Sequence, residues 1–213
     1  MKMLKTVILS GVAAMLLPSC NDVLGDLYDD GMVATSEYGF VETSTGSTPG
    51  LIYINATDYK AWTYIDFENR RIDSISVTEP EPAQWDFAIH RYDAKTNRAA
   101  VVETSFTDIS LALLWSEADA GDEVADIWTT DKIVTDMSTM MDGYLSYVGS
   151  FYNTKLSEWL NVDTSTMPPV YTTSDKVYII LLRNGRRAAV KLSDYMNATG
   201  IKGYMSIQYI YPL

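Results

Sequence analysis

Residues 176 to 192 read KVYIILLRNGRRAAVKL, two runs of aliphatic and β-branched side chains on either side of Asn184 and Gly185. An Asn-Gly pair between two apolar runs is the strongest short-range hairpin signal, and it predicts a type I′ turn here. The same pattern recurs along the chain. LIYINA, AWTYIDF, RRIDSISV, WDFAIHRY and AAVVETS follow one another from Leu51, and YMSIQYIYPL alternates to the C-terminus. Side chains point to opposite faces with period two along a strand, so closely spaced runs of this kind pair antiparallel and share one buried face. The expected fold class is all-β, a single antiparallel β domain with little helix. A chain of 213 residues with 47% apolar side chains is long enough for one good core.

Two stretches interrupt the alternation. SFTDISLALLWSEADAGDEVADIW mixes an apolar patch with an acidic loop, and its pattern fits a helical or an extended state. The second runs from Asp136 to Tyr171, combines Met, Tyr, Trp and Pro, and allows a short helix around 150–160. Long irregular stretches are usually functional or disordered, and the aromatic content argues against disorder. On the same reasoning WDFAIHRYDAKTN reads as a strand ending in a basic, amide-rich turn, with His90, the sole histidine, as an ordinary strand member.

The N-terminus carries a different message. MKMLKTVILSGVAAMLLPSC has two early lysines, an apolar stretch from Val7 to Leu17 and the single cysteine, Cys20. This reads as a secretory signal, because the apolar run is short of the roughly 20 residues a spanning helix needs. Cys20 after Leu17, Pro18 and Ser19 resembles the lipobox of bacterial lipoproteins, in which the thiol is diacylated and becomes the first residue. The expected organisation is a lipoprotein signal peptide over 1–19, the lipidated Cys20 with a flexible acidic spacer over 20–50, and the β domain over 51–213. Two or three acyl chains suffice for stable anchoring.

Much chemistry is missing. Sixteen basic against 28 acidic residues give a net charge of −12, with no Lys or Arg run to neutralise consecutive phosphates, so nucleic acid is not expected as a partner. One histidine and one leader cysteine leave few ways to assemble an activated nucleophile, and there is no Gly-x-Ser-x-Gly elbow. No two His or Cys stand at zinc-ligand spacing, and DAGDEVAD lacks the spacing of an EF-hand loop. The chain is expected not to be an enzyme.

Taken in order behind the lipobox, DYKAWTYIDFENRRI, WDFAIHRYDAKTN, MPPVYTTSDKVYIILLRNGRRAAVKLSDY and GYMSIQYIYPL resemble the HmuY-like haem-binding lipoproteins of Gram-negative anaerobes. Trp85, Asp86, His90, Arg91, Tyr92 and Asn97 carry the most specific segment, and Tyr195 with the terminal YIYP the next. The resemblance implies that one haem b is gripped between two long loops at one end of the domain, by two axial protein ligands. It implies delivery to a TonB-dependent outer-membrane haem receptor, a place on the outer membrane at the cell surface with release from the cell also open, and a role in iron acquisition. It also implies that His90 belongs to the scaffold and that the ligands come from the two later loops.

Both loops contain methionine and no histidine. Thr164 occupies the place of the second histidine of the His-ligated members, and Met167, followed by Pro168 and Pro169, is the natural substitute. The first ligand comes from DMSTMMDGY, with Met140 favoured, Met141 next and Met137 third. Tyr144, Tyr147 and Tyr171 are candidates to stack on the porphyrin or to pack the loops, and a tyrosinate is the rival ligand. A thioether is neutral and soft, so two methionines would favour ferrous haem. The alternative reading is a lipid-anchored β domain that recognises a glycan, a peptide or a partner protein without haem.

Overall fold

The computed structural model describes residues 38–117, 121–166 and 168–213. The leader, Cys20, residues 21–37 of the acidic segment and Met167 lie outside the described residues. In chain order the strands are β1 (Gly39–Glu42), β2 (Gly50–Asn55), β3 (Ala61–Asp66), β4 (Arg71–Ser76), β5 (Phe87–His90), β6 (Asp93–Thr96), β7 (Ala100–Glu103) and β8 (Val124–Ala125). They continue as β9 (Ile127–Asp136), β10 (Ser146–Tyr152), β11 (Leu160–Asp163), β12 (Val170–Thr173), β13 (Tyr178–Leu181), β14 (Arg187–Met196) and β15 (Lys202–Ile210). The only helical pieces among the described residues are short 3-10 turns, such as Ile109–Leu114, Met140–Asp142 and Leu156–Trp159. The chain is an all-β protein.

A seven-stranded sheet runs β1-β2-β15-β14-β13-β7-β8, and a four-stranded sheet runs β4-β3-β5-β6. Every pairing is antiparallel. The two sheets share one core. Ile52, Ile54, Val190, Leu192, Met205 and Ile207 from the large sheet meet Ile65, Phe87 and Ile89 from the small one. Each fully buried Ile or Phe there contributes roughly 1.5–3 kcal/mol relative to exposure. Alternation is cleanest on β15, where Gly203, Met205, Ile207 and Tyr209 are buried and the residues between them are not.

The outer faces are covered too, which explains where alternation fails. The 3-10 turn Ile109–Leu114 lays Ile109 and Ala112, with Trp115, on Val102 and Ile179 of the large sheet and on Val177 just before β13. On the small sheet, Ile133 of β9 packs against Trp62, Tyr64, Trp85 and Ala88. Covered on both sides, β5 (FAIH) is buried at every position. It stops at His90 because Arg91 is left-handed, with φ +58°.

Three expectations need correction. The turn at Asn184–Gly185 is not type I′, which requires two left-handed residues: only Gly185 has positive φ, and its N–H reaches Leu182 O at 3.0 Å while Leu182 N–H reaches Arg186 O at 2.9 Å. The domain also begins before Leu51. β1 pairs with β2, and Phe40 packs edge-on against Phe67 and Tyr209 with ring centroids 6.4 and 5.4 Å away. Four residues are too few to show a period within an acidic, Gly-rich segment. Finally, the polar DAKT after the β5 turn is strand β6, with Lys95 and Thr96 buried.

Candidate functional site

Two hairpins, β9–β10 and β11–β12, each a separate two-stranded sheet, have both their tips in the second irregular stretch, whereas the first stretch forms the 3-10 turn Ile109–Leu114, β8 and the first residues of β9. The segment between the hairpins, 153–159, is stitched onto β6. Asn153 N–H donates to Ala94 O at 2.8 Å, Ala94 N–H donates to Ser157 Oγ at 2.9 Å, and Trp159 Nε1–H donates to Tyr92 O at 2.8 Å. Asn153 is completely buried and uses all its polar groups: Oδ1 accepts from Leu156 N–H at 2.8 Å, and Nδ2 donates to Val124 O at 3.0 Å and Asp126 Oδ1 at 2.8 Å. Both hairpins therefore spring from one short length of β6. Buried hydrogen bonds of this kind are costly to break one partner at a time, which holds the two bases in a fixed relation.

The first hairpin rests on the small sheet through Ile133, and its tip, 137–145, projects beyond the paired residues. Asp136 Oδ1 accepts from Ser138 N–H at 2.8 Å, Met140 N–H donates to Met137 O at 3.0 Å, and Gly143 N–H closes the turn on Met140 O at 3.0 Å. Gly143 sits at φ +84°, a conformation that costs a side-chain-bearing residue about 1–2 kcal/mol. This turn presents Met140 (43% exposed) and Met141 (90%) to solvent, with Tyr144 (71%) and Tyr147 (43%) beside them. Met137 is part-buried lower in the turn.

The second hairpin pairs Leu160 with Thr173 through to Asp163 with Val170. In its tip, Asp163 Oδ1 accepts from Ser165 N–H at 2.8 Å and Thr166 Oγ1–H donates to Pro168 O at 3.3 Å. Met167 falls in this tip, outside the described residues. Tyr171 on β12 is packed at the hairpin's inner side: it stacks on Tyr195 at 5.2 Å, meets the edge of Tyr92 at 6.4 Å, and carries the Lys202 ammonium 3.7 Å from its ring centroid. Burial pushes the Tyr92 phenol up to about 12 and also raises that of Tyr195, so both are neutral hydroxyls at physiological pH.

His90 lies in the scaffold. It is 1% exposed, its Nε2–H donates to Tyr59 O at 2.8 Å, and its ring lies 5.4 Å from that of Trp62. Burial holds the imidazole below its ordinary pKa, so it is neutral, and Nδ1 has no partner in the protein. Sequence reasoning missed Asn153, Ser157 and Trp159 as the root of the site. An Asn three residues ahead of an apolar residue, at the start of KLSEW, is a helix-capping signal that could have marked the first of them.

Three comparisons bear on this arrangement. The model of the HmuY protein family matches residues 58–209. Among solved structures, the chain is similar to an HmuY-like haem-binding candidate from Bacteroides vulgatus, at 54% identity and TM-score 0.77, over 83% of this chain and 99% of that one. It is also similar to a candidate lipoprotein from Bacteroides fragilis, at 46% identity and TM-score 0.78, over 83% and 96% of the two chains. A further likeness is to the apo form of PinO from Porphyromonas gingivitis, at 26% identity and TM-score 0.65, over 78% of this chain and 99% of that one. No curated protein matches.

Proposed function

The chain belongs to the HmuY family, and from that premise we propose that it captures haem b between the tips of its two hairpins, with the thioethers of Met140 and Met167 as the axial ligands. The observation that carries this reading is the tip of the first hairpin, where Met140, Met141, Tyr144 and Tyr147 are all exposed on a turn whose base is fixed to β6. A protein that buries most of its large apolar side chains leaves such a group in water chiefly where something is to cover it.

A thioether brings a soft, neutral sulfur with no proton to lose, so the pair favours ferrous over ferric iron, and the bonds persist in mild acid where imidazole would be protonated. Most of the affinity comes from removing the apolar macrocycle from water, at about 25 cal/mol per Å², less the cost of ordering the tips. Tyr171, clasped between Tyr195 and Lys202, is held rigidly and would border the haem with its ring edge. Diacylated Cys20 holds the protein on the outer membrane, where a TonB-dependent receptor takes the haem as part of iron acquisition.

Titration of the mature protein with haem, before and after dithionite, tests the proposal. One-to-one binding that tightens on reduction, and that Met140→Ala and Met167→Ala each weaken by about tenfold or more, is the expected result. Tighter ferric than ferrous binding would exclude a bis-methionine site.

A further inference from the structure

A cavity of about 600 Å³ lies apart from the methionine tips, and its lining includes Glu81, Trp85, Lys95, Arg98, Phe151 and Arg183. This is within the range of sites that hold small molecules. Its innermost cation is Lys95, only 3% exposed, whose ammonium lies 4.4, 4.9 and 5.5 Å from the ring centroids of Trp62, Tyr64 and Trp85. The ammonium donates to Tyr64 Oη at 3.0 Å and to Glu81 Oε1 at 2.7 Å. A buried ammonium needs a counter-charge, and this one depends on a single carboxylate whose own side chain is 48% exposed.

The other charges at the cavity are disposed unevenly. Asp126 is committed to Thr96 N–H at 2.6 Å, Thr96 Oγ1–H at 3.0 Å and Asn153 Nδ2 at 2.8 Å. Arg98 and Arg183 are exposed and line the cavity, and neither forms an ion pair among the described residues. Three cations thus face two carboxylates, in a chain whose net charge is −12. The lining also includes the indole of Trp85 and the ring of Phe151, which is 51% exposed and meets Trp128 edge-on at 5.3 Å.

We propose that this cavity is a second ligand site, separate from the haem site, for a small aromatic carboxylate. The ligand's carboxylate takes the place of Glu81 on Lys95, Arg98 and Arg183 draw it in, and Trp85 and Phe151 flank its flat body. Because one carboxylate replaces another, Lys95 is never left unpaired, and the solvated Glu81 side chain can turn out into water.

Naphthoate is the probe, titrated into the mature protein by calorimetry and by tryptophan quenching. The expected result is saturable one-to-one binding, with naphthylmethanol, the neutral analogue, binding at least about tenfold more weakly. Arg98→Gln and Arg183→Gln should each weaken naphthoate by about twofold to fivefold, since an exposed charge acting at short range contributes at that level. Glu81→Gln should tighten it by about threefold or more, because the internal competitor is gone; a carboxylate with a merely structural role would give no gain. Saturating haem should leave naphthoate binding unchanged. Absence of saturable binding, equal binding of the alcohol, a Glu81→Gln variant that binds no better, or displacement by haem would each overturn the proposal. Glu81→Gln unpairs the buried Lys95 ammonium, so its urea midpoint is measured beside its affinity, and Arg98→Gln and Arg183→Gln, at exposed positions, test the proposal without touching that pair.

Discussion

Asp93, at the start of β6, gives the sharpest test of how the root of the hairpins is built. Its carboxyl is pushed up to about 7 because burial outweighs the attraction of Lys132. In the unfolded chain the same group titrates near 3.8. Below that value both states are protonated and the group costs nothing. Between the two values the folded state keeps a proton that the unfolded state has lost, so stability falls as pH rises, and above about 7 the loss is complete. A displacement of roughly three pH units corresponds to at most about 4 kcal/mol, and because Asp93 is part-exposed we expect about 1–3 kcal/mol. Asp93→Asn removes the charge while keeping the shape. Urea unfolding of the wild type and the variant at pH 4, 6 and 8 should show the variant gaining on the wild type by that amount across the series. His90 also titrates, in the opposite sense, since its depressed pKa removes stability as the pH falls; it is present in both proteins and cancels in the difference. A gap between the two proteins that is the same at all three pH values would refute the claim that the fold holds Asp93 neutral.

Trp159→Phe removes the N–H that serves the Tyr92 carbonyl and leaves a void in the core, and should lower unfolding free energy by about 1–3 kcal/mol and loosen haem binding, both read from the same purified variant. Gly143→Ala strains only the exposed tip turn, so haem affinity should fall while the urea midpoint moves by no more than about 1 kcal/mol equivalent. His90→Gln should leave the Soret band of the haem complex in place, because the imidazole is committed to Tyr59 O and Trp62; a shifted band would move the site. Comparison of Met140→Ala with Met141→Ala assigns the first ligand: the ligand's removal should cost about tenfold or more in ferrous affinity and its neighbour's about twofold or less.

The legible part of the fold lay where one face of a strand is buried and the other wet. β15 is of that kind, and its alternation could be read directly from YMSIQYIYPL. β5 could be read as a strand from WDFAIHRY, but its burial could not, since β9–β10 covers its second face and all four residues are buried. Lys95 was illegible for a related reason. A lysine in DAKT signals a turn unless its ammonium finds Glu81, Tyr64 and three aromatic faces, all distant in sequence. At the candidate site, composition marked 136–171, which holds both hairpin tips, but their common root could not be seen, because it rests on hydrogen bonds between 153–159 and β6 across a long sequence separation.

Those contacts meet β6 only through main-chain atoms, the carbonyls of Tyr92 and Ala94 and the amide of Ala94. Those three hydrogen bonds therefore do not depend on which side chains stand at 92 and 94, so long as the strand stays extended. The side chains are less portable: Ile133 packs on the small sheet and Leu156, Trp159 and Leu160 lie in the shared core, so hairpins exchanged between relatives would have to bring matching core residues with them.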